Sequence, residues 1–274
     1  MQHWEVKQYG ALINRILHSG EKRSSRAGNV YSVFGEFLTI DVSQEFPLLR
    51  GRKMFYKPVL GELAAMLRGP KNIRDFQKFD CNYWNAWGDK NHIEEGHLEL
   101  DYGNSWINFN GVNQLEDVVQ KLATNRTDRR ILISGWRPDR LASLSLPCCH
   151  LLYQWYVRDV DTEQPKLDMI WYQRSVDTMV GLPSDIILAA AWNIILANQS
   201  GLQPGVIKFM LADTHIYENH VPQTLEYMRQ LNKVEYKKLE YAVDPASTVF
   251  NFTPDMLSLS EYVHQPAIKF ELNV

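Results

Sequence analysis

The stretch LPCCHLLYQWYV (146–157) sets Cys148, Cys149 and His150 at the entrance to a strand. A thiolate there is a nucleophile once nearby cations lower its pKa. Cysteine and isolated histidine are also common core residues, so the group reads either as packing or as a nucleophile with its neighbour. No second Cys or His pair stands at zinc-ligand spacing, so no metal is expected. TDRRILISGW (127–136) carries Arg129 and Arg130, and YQRSVD (172–177) carries Arg174 and Ser175. With Arg26 in the early basic segment, these are either solvated surface charges or guanidinium forks for a phosphate. LADTHIYENH (211–220) puts Asp213, His215 and Tyr217 on one face of a strand, which suits an exposed polar edge or a hydroxylated ligand. Glu62, inside the apolar GELAAML, reaches either a polar cavity, as a general acid or base, or the exposed stripe of its helix. In GLPSDIIL (181–188), Ser184 and Asp185 precede a long apolar run and read as a helix cap.

The chain that positions these residues has 274 residues, 45% hydrophobic and 12% aromatic, enough for a large core. A net charge of −3 offers no broad basic face for nucleic acid, so phosphate must be held by local arginines and the partner is a small molecule. The beginning MQHWEVKQYG is not a signal peptide, and the apolar run 186–197 is too short for a bilayer. Three cysteines make no disulfide framework, and the expected compartment is a reducing cytoplasm, with no membrane partner.

Apolar spacing predicts a helix over 4–18, followed by a flexible basic loop, GEKRSSRAGN. VYSVFGEFLTIDV, RILISGW, HLLYQWYVRDV, KLDMIWYQRSV and VIKFMLADTHIY read as strands. PVLGELAAMLRG, NQLEDVVQKLA, residues 184–199 and NHVPQTLEYMRQL read as helices. Strands and helices mix without strict alternation, which favours an α+β arrangement in one domain over 1–274.

Read in order, the motifs VFG, ELAAMLRGPKNI, YWNAWGD, DYGNSW, DRR, LPCCH with QWYV, QRSVD with GLP, DTHIYENH and PAIKFELNV resemble the thymidylate synthases and their pyrimidine-hydroxymethylase relatives. The resemblance runs from about residue 11 to the C-terminus. It implies a large twisted mixed β-sheet packed with helices and a sheet-to-sheet homodimer. It further implies transfer of one carbon from 5,10-methylenetetrahydrofolate to carbon 5 of a pyrimidine nucleotide. By the same resemblance Cys149, beside His150, is the nucleophile that adds to carbon 6. Arg26 (with Arg23 as substitute), Arg174 and Ser175 hold the phosphate, with Arg129 and Arg130 reaching in from the second subunit. His215 and Tyr217 hold the sugar hydroxyl. Glu62, Trp84 and Tyr102 surround the reacting base, and Leu146, Asp177, Gly181 and the terminal Val274 belong with the folate.

Asp185 stands where the synthases usually have asparagine. An amide donates and accepts and so matches uracil, whereas a carboxylate only accepts; it suits the exocyclic amine of cytosine, and a shared proton can join it to ring nitrogen 3. The resemblance points the same way, because deoxycytidylate hydroxymethylases carry aspartate here, as enzymes of bacteriophages that modify their DNA. The expected substrate is therefore dCMP, in a host cytoplasm, and the expected product 5-hydroxymethyl-dCMP. Trp84, Leu146, His150 and Val274 are synthase-like and would suit 5-methyl-dCMP instead. A dUMP methylase that tolerates Asp185, and a nucleotide-binding homologue without catalysis, are the rival readings.

Overall fold

The computed structural model describes residues 3–89 and 94–273. A six-stranded sheet carries the molecule, in the spatial order β1 (Glu21–Ser25), β2 (Gly28–Asp41), β6 (Gln203–Tyr217), β5 (Lys166–Asp177), β4 (His150–Arg158), β3 (Leu132–Ser134). All pairs are antiparallel except β5 with β6, so the sheet is mixed. Period-2 alternation explains its two faces. Leu38, Phe209, Trp171, Tyr153 and Ile133 are cross-strand partners in one row, and all are buried. The neighbouring row, Phe37, Met210, Tyr172 and Leu152, turns the other way and is only partly covered, with Phe37 63% exposed.

Helices cover the buried face: α1 (Ala11–Ser19), entered through a π-helical turn Glu5–Gly10, then α2 (Tyr56–Met66), α3 (Ile73–Gln77), α4 (Asn104–Ile107), α5 (Gln114–Thr124), α6 (Gly181–Gln199) and α7 (Val221–Leu231). A small hairpin, β7 (Tyr241–Val243) with β8 (Leu257–Leu259), stands apart from the main sheet. Helix α6 has the length and composition to cross a membrane, yet it is the core helix of the fold, with every residue from Ile186 to Ala197 buried. Its apolar residues face the sheet on one side and α2 on the other, so it shows no amphipathic stripe.

Three sequence expectations are corrected here. The basic segment after the first helix is a hairpin, not a flexible loop: Ser25 pairs with Gly28 across a two-residue tip, Arg26-Ala27, and Gly28 adopts φ 128°. A positive φ of that size favours glycine, so the turn chemistry was present in the RAGN text. RILISGW forms only the three-residue β3: Gly135 still donates to the Leu151 carbonyl of β4 (2.7 Å), and the chain leaves the sheet edge after it. Helix α6 begins at Gly181, not 184.

Glu5 fixes the segment that leads into α2. Its buried carboxylate accepts from the backbone N–H groups of Arg50 (2.9 Å) and Gly51 (2.8 Å) and from the hydroxyls of Tyr227 (2.7 Å) and Tyr236 (3.1 Å). A carboxylate so satisfied is tolerated in the core, and it orders the turn that carries Arg52. Arg52 in turn donates to the carbonyl of Met179, just before α6, and packs over the ring of Phe270.

Candidate active site

Cys149 and His150 lie where β4 enters the sheet next to β5. The Arg174 backbone N–H donates to the Cys149 carbonyl (2.8 Å), and the Cys149 N–H donates to the Tyr102 hydroxyl. Burial pushes the Cys149 thiol up, while the charge of Arg174 and the hydrogen bond from Tyr102 pull it down. Arg174 is bent onto this turn: its Nε donates to the Cys148 carbonyl (2.7 Å), its Nη2 to the Pro147 carbonyl (3.1 Å), and its guanidinium covers the Trp136 ring.

His150 is neutral, because burial lowers its pKa to about 3. Its Nδ1 is 2.6 Å from the Tyr153 hydroxyl, which also lies 3.0 Å from the His150 carbonyl. The carbonyl only accepts, so satisfying both contacts requires the Tyr153 proton to go to it and Nδ1–H to donate to Tyr153. That tautomer leaves Nε2 as a bare acceptor, 3.8 Å from Oδ1 of Asp185.

Asp185 is not a cap. It lies in the second turn of α6, and its side chain, 15% exposed, faces the sheet. The entrance turn is held instead by Asp177, whose Oδ1 accepts from the N–H groups of Met179 and Val180, each at 3.0 Å. The cap reading failed because an Asx-type turn four residues upstream satisfies the entrance, and Gly181, Leu182 and Pro183 already form the first turn. Burial is the main reason that Asp185 is raised to about 8; the negative charges of Glu62 and Asp177 add to it, and the hydrogen bond from Gln173 opposes it. At neutral pH the free protein carries Asp185 chiefly as the neutral acid.

Glu62 projects from α2 and accepts from Trp84 Nε1 at 2.8 Å. Burial raises it to about 7, against the lowering effect of that bond. Trp84 is buried, stacks on Phe76 (5.1 Å) and meets Tyr102 edge-on (5.6 Å), while Tyr102 leans on His150 (4.6 Å). Glu62, Trp84, Tyr102, Cys149, His150 and Asp185 therefore form one continuous patch.

At the end of β6, Asp213 accepts from the Ser32 hydroxyl (2.6 Å) and lies 3.4 Å from His215 Nδ1; Tyr217 meets the His215 ring edge-on. In the parallel pairing, Ser175 lies opposite Asp213 and Asp177 opposite His215, which joins the two strand ends. Arg23 pairs with Asp213 (3.5 Å), whereas Arg26 sits at the hairpin tip, near enough for its charge to act on Tyr217. Arg129 and Arg130 are not brought into this cluster. Both are exposed in the turn before β3, and Arg130 is folded onto Asp128 with two 3.0 Å bonds.

Leu146 is half-buried three residues before Cys149, and Gly181 is half-buried at the start of α6. Val274 lies outside the described residues. The tail before it is clasped to the turn after β6: the His220 ring is 2.9 Å from the Glu271 carbonyl, and Asn219 and Asn273 exchange amide hydrogen bonds (3.2 and 3.3 Å). A cavity of about 460 Å³ opens beside this clasp and the Arg26 hairpin.

Sequence reasoning missed Gln173, Trp171, Tyr153 and Arg140. Gln173 closes the inward-facing stripe Leu167, Met169, Trp171 of β5, and a polar residue ending such a stripe was the available signal. Arg140 bridges the buried Asp101 (3.1 Å) and Glu99 (2.8 Å), and no spacing in the text announces that bridge.

A thymidylate synthase family model matches residues 7–274. A curated thymidylate synthase of Mycoplasma genitalium is 32% identical over 289 residues, covering 96% of this chain and 98% of that protein. This protein belongs to the thymidylate synthase family, folate-dependent one-carbon transferases that use 5,10-methylenetetrahydrofolate as co-substrate.

Proposed function

We propose that the protein transfers a one-carbon unit to carbon 5 of dCMP, with 5-hydroxymethyl-dCMP as the product. The observation that carries the substrate is the buried carboxyl of Asp185, set between His150 and Gln173 at the floor of the patch that holds Cys149. A carboxyl in place of an amide gives the exocyclic amine of cytosine an acceptor, and mismatched buried polar groups discriminate strongly between bases.

Cys149 adds to carbon 6 as the thiolate, with Arg174 and Tyr102 offsetting the burial that disfavours ionisation. Arg174 and Ser175 hold the phosphate together with Arg26; Arg23, already engaged by Asp213, is the weaker candidate. Arg174 then exchanges carbonyl partners for phosphate oxygens beside the thiol. His215 and Tyr217 take the sugar hydroxyl. Glu62, titrating near neutrality, moves protons at the base, and the Tyr102 hydroxyl, which accepts from the Cys149 N–H, positions the nucleophile turn against it. Bound 5,10-methylenetetrahydrofolate supplies the carbon. The residues present fit it: Leu146, Gly181 and Trp84 offer apolar surface, and Asp177, with Oδ1 spent on the α6 turn, keeps Oδ2 for N–H donors.

The whole chain, 1–274, acts as one domain, and two copies join through the outward sheet face. The partly covered row Phe37, Met210, Tyr172 and Leu152 supports this, as does the exposure of Arg129 and Arg130 at the edge of the same sheet, from which Arg130 would exchange Asp128 for the other copy's phosphate.

One observation favours 5-methyl-dCMP as a second reading. Trp84, itself buried, donates directly to Glu62 and so occupies a carboxylate oxygen that could otherwise hold a water for attack on the transferred carbon. The deciding experiment is incubation with dCMP and 5,10-methylenetetrahydrofolate, followed by mass spectrometry of the nucleotide and an absorbance assay for dihydrofolate. A product heavier by a hydroxymethyl group without dihydrofolate is expected; a methyl product with dihydrofolate selects the second reading. Faster turnover of dUMP than of dCMP overturns the substrate. Dependence of carbon-5 hydrogen release on Cys149 excludes a homologue that only binds.

A further inference from the structure

The Tyr102 hydroxyl meets Cys149 twice: it accepts from the backbone N–H, and it hydrogen-bonds the thiol, which favours the thiolate. Such bonds are lost when the partners move apart by about 1 Å. The Tyr102 ring touches Trp84 and His150, so the reach of the hydroxyl is set by the backbone on either side of it. On one side Gly103, with φ 75°, lies so close to the Met66 carbonyl at the end of α2 that a Cβ there would collide with it. On the other side is Asp101, whose side chain is 1% exposed.

A carboxylate buried to that degree needs a cation. Arg140 supplies it: one end of the guanidinium lies 3.1 Å from Asp101 Oδ1, and the other donates to Glu99 Oε2 at 2.8 Å. Burial raises the Asp101 pKa and Arg140 is the strongest opposing influence; Arg137 helps less, being engaged by Asp139 (2.9 and 2.6 Å) and the Phe109 ring, and the charge of Asp139 works the other way. Ser145 ties the same two segments together: its N–H donates to the Glu99 carbonyl (2.8 Å), and its hydroxyl accepts from the Glu99 N–H (3.1 Å). Arg140 and Ser145 stand on the approach to Cys149, so the bridge joins the segment that carries Tyr102 to the one that carries the thiol.

We infer that Arg140 is a positioning residue for the nucleophile: through Asp101 it fixes the Tyr102 backbone so that the hydroxyl stays on Cys149. The inference rests on the reading of Cys149 as nucleophile and adds what holds it ready. The charges that act most on the thiol itself are Arg174, Asp185 and Asp177, so the bridge works by placement and not by its own field. Field and placement predict opposite signs when Asp101 is removed. Deleting a negative charge favours the thiolate, whereas releasing Tyr102 disfavours it.

The test is the pH dependence of Cys149 alkylation by iodoacetamide, located by mass spectrometry, with the buried Cys81 and Cys148 as internal comparators. Asp101→Ala and Arg140→Met are each expected to move the midpoint upward and to slow alkylation at neutral pH roughly tenfold, the effect of one hydrogen bond to a thiolate. Arg140→Lys should recover part of the loss, and in a Tyr102→Phe background neither Asp101→Ala nor Arg140→Met should shift the midpoint further. For turnover of dCMP, kcat should fall in Arg140→Met while KM for the nucleotide holds. A parent that is not alkylated at Cys149 would reject the nucleophile reading, and this inference with it. A midpoint that falls or stays in Asp101→Ala, or that still moves with Arg140→Met when Tyr102 is already Phe, would overturn the role of Arg140 and leave the nucleophile reading standing. Should Asp101→Ala not fold, the partly exposed Arg140 variants decide alone, and a loss of thermal stability with an unchanged midpoint counts against the inference.

Discussion

Asp185→Asn separates the electrostatic cost of the carboxyl from its proposed role in reading the base. A carboxyl that titrates near 3.8 in the unfolded chain and at about 8 in the folded protein binds more protons when folded. Its contribution to stability is therefore complete below pH 3.8, falls as pH rises toward 8 and levels off above it. Within that window the loss is on the order of 1 kcal/mol per pH unit, so between pH 5 and pH 7 the parent should lose roughly 3 kcal/mol from this group. Asparagine carries no such dependence, and its amide oxygen still accepts from Gln173. Asp185→Asn should thus be little changed in stability at pH 4 and more stable than the parent by on the order of 4 kcal/mol at pH 7. Glu62 titrates in both proteins, so its effect largely cancels in the difference. Urea denaturation across pH 4 to 9 gives the two profiles, and nucleotide affinities measured on the same samples should show preference moving from dCMP to dUMP. Parallel stability profiles would refute the burial argument; an unchanged dCMP-to-dUMP ratio would refute base reading, whatever the stability.

Trp84→Phe removes the only N–H that the indole gives Glu62, so the inflection near pH 7 in the rate profile should move upward and any methyl share of the product should fall in favour of hydroxymethyl; mass spectrometry and a pH–rate series read both. Asn219→Ala cuts the amide exchange with Asn273, each exposed bond being worth ~1 kcal/mol or less, so the KM for the folate should rise a few-fold and carboxypeptidase trimming should quicken. Folate-independent exchange of the carbon-5 hydrogen should stay unchanged in that variant. Mixing inactive Cys149→Ala with inactive Arg130→Ala should restore about a quarter of the parent's activity, because half the dimers formed by random exchange hold one complete site; no recovery on mixing would place Arg130 outside the neighbour's site.

The sequence made the sheet legible where alternation ran long. β2, β4, β5 and β6 all follow apolar–polar stripes readable from the text, and the inward row Leu38, Phe209, Trp171, Tyr153, Ile133 is the product of that alternation. Boundaries set by a single hydrogen bond were not legible. The start of α6 shows why: PSD has the composition of a cap, but Asp177 stands close enough in chain to close the turn first, and that leaves Asp185 one turn inside the helix. The error has a functional consequence. An N-cap carboxylate is stabilised by the backbone N–H groups it accepts and stays ionised, whereas a carboxyl inside the helix and against the sheet accepts from Gln173 alone among the described residues and is pushed toward its neutral form by burial. The family resemblance singled out Asp185; the three-dimensional arrangement adds that its carboxyl accepts from Gln173, whose own amide is oriented by the Trp171 indole.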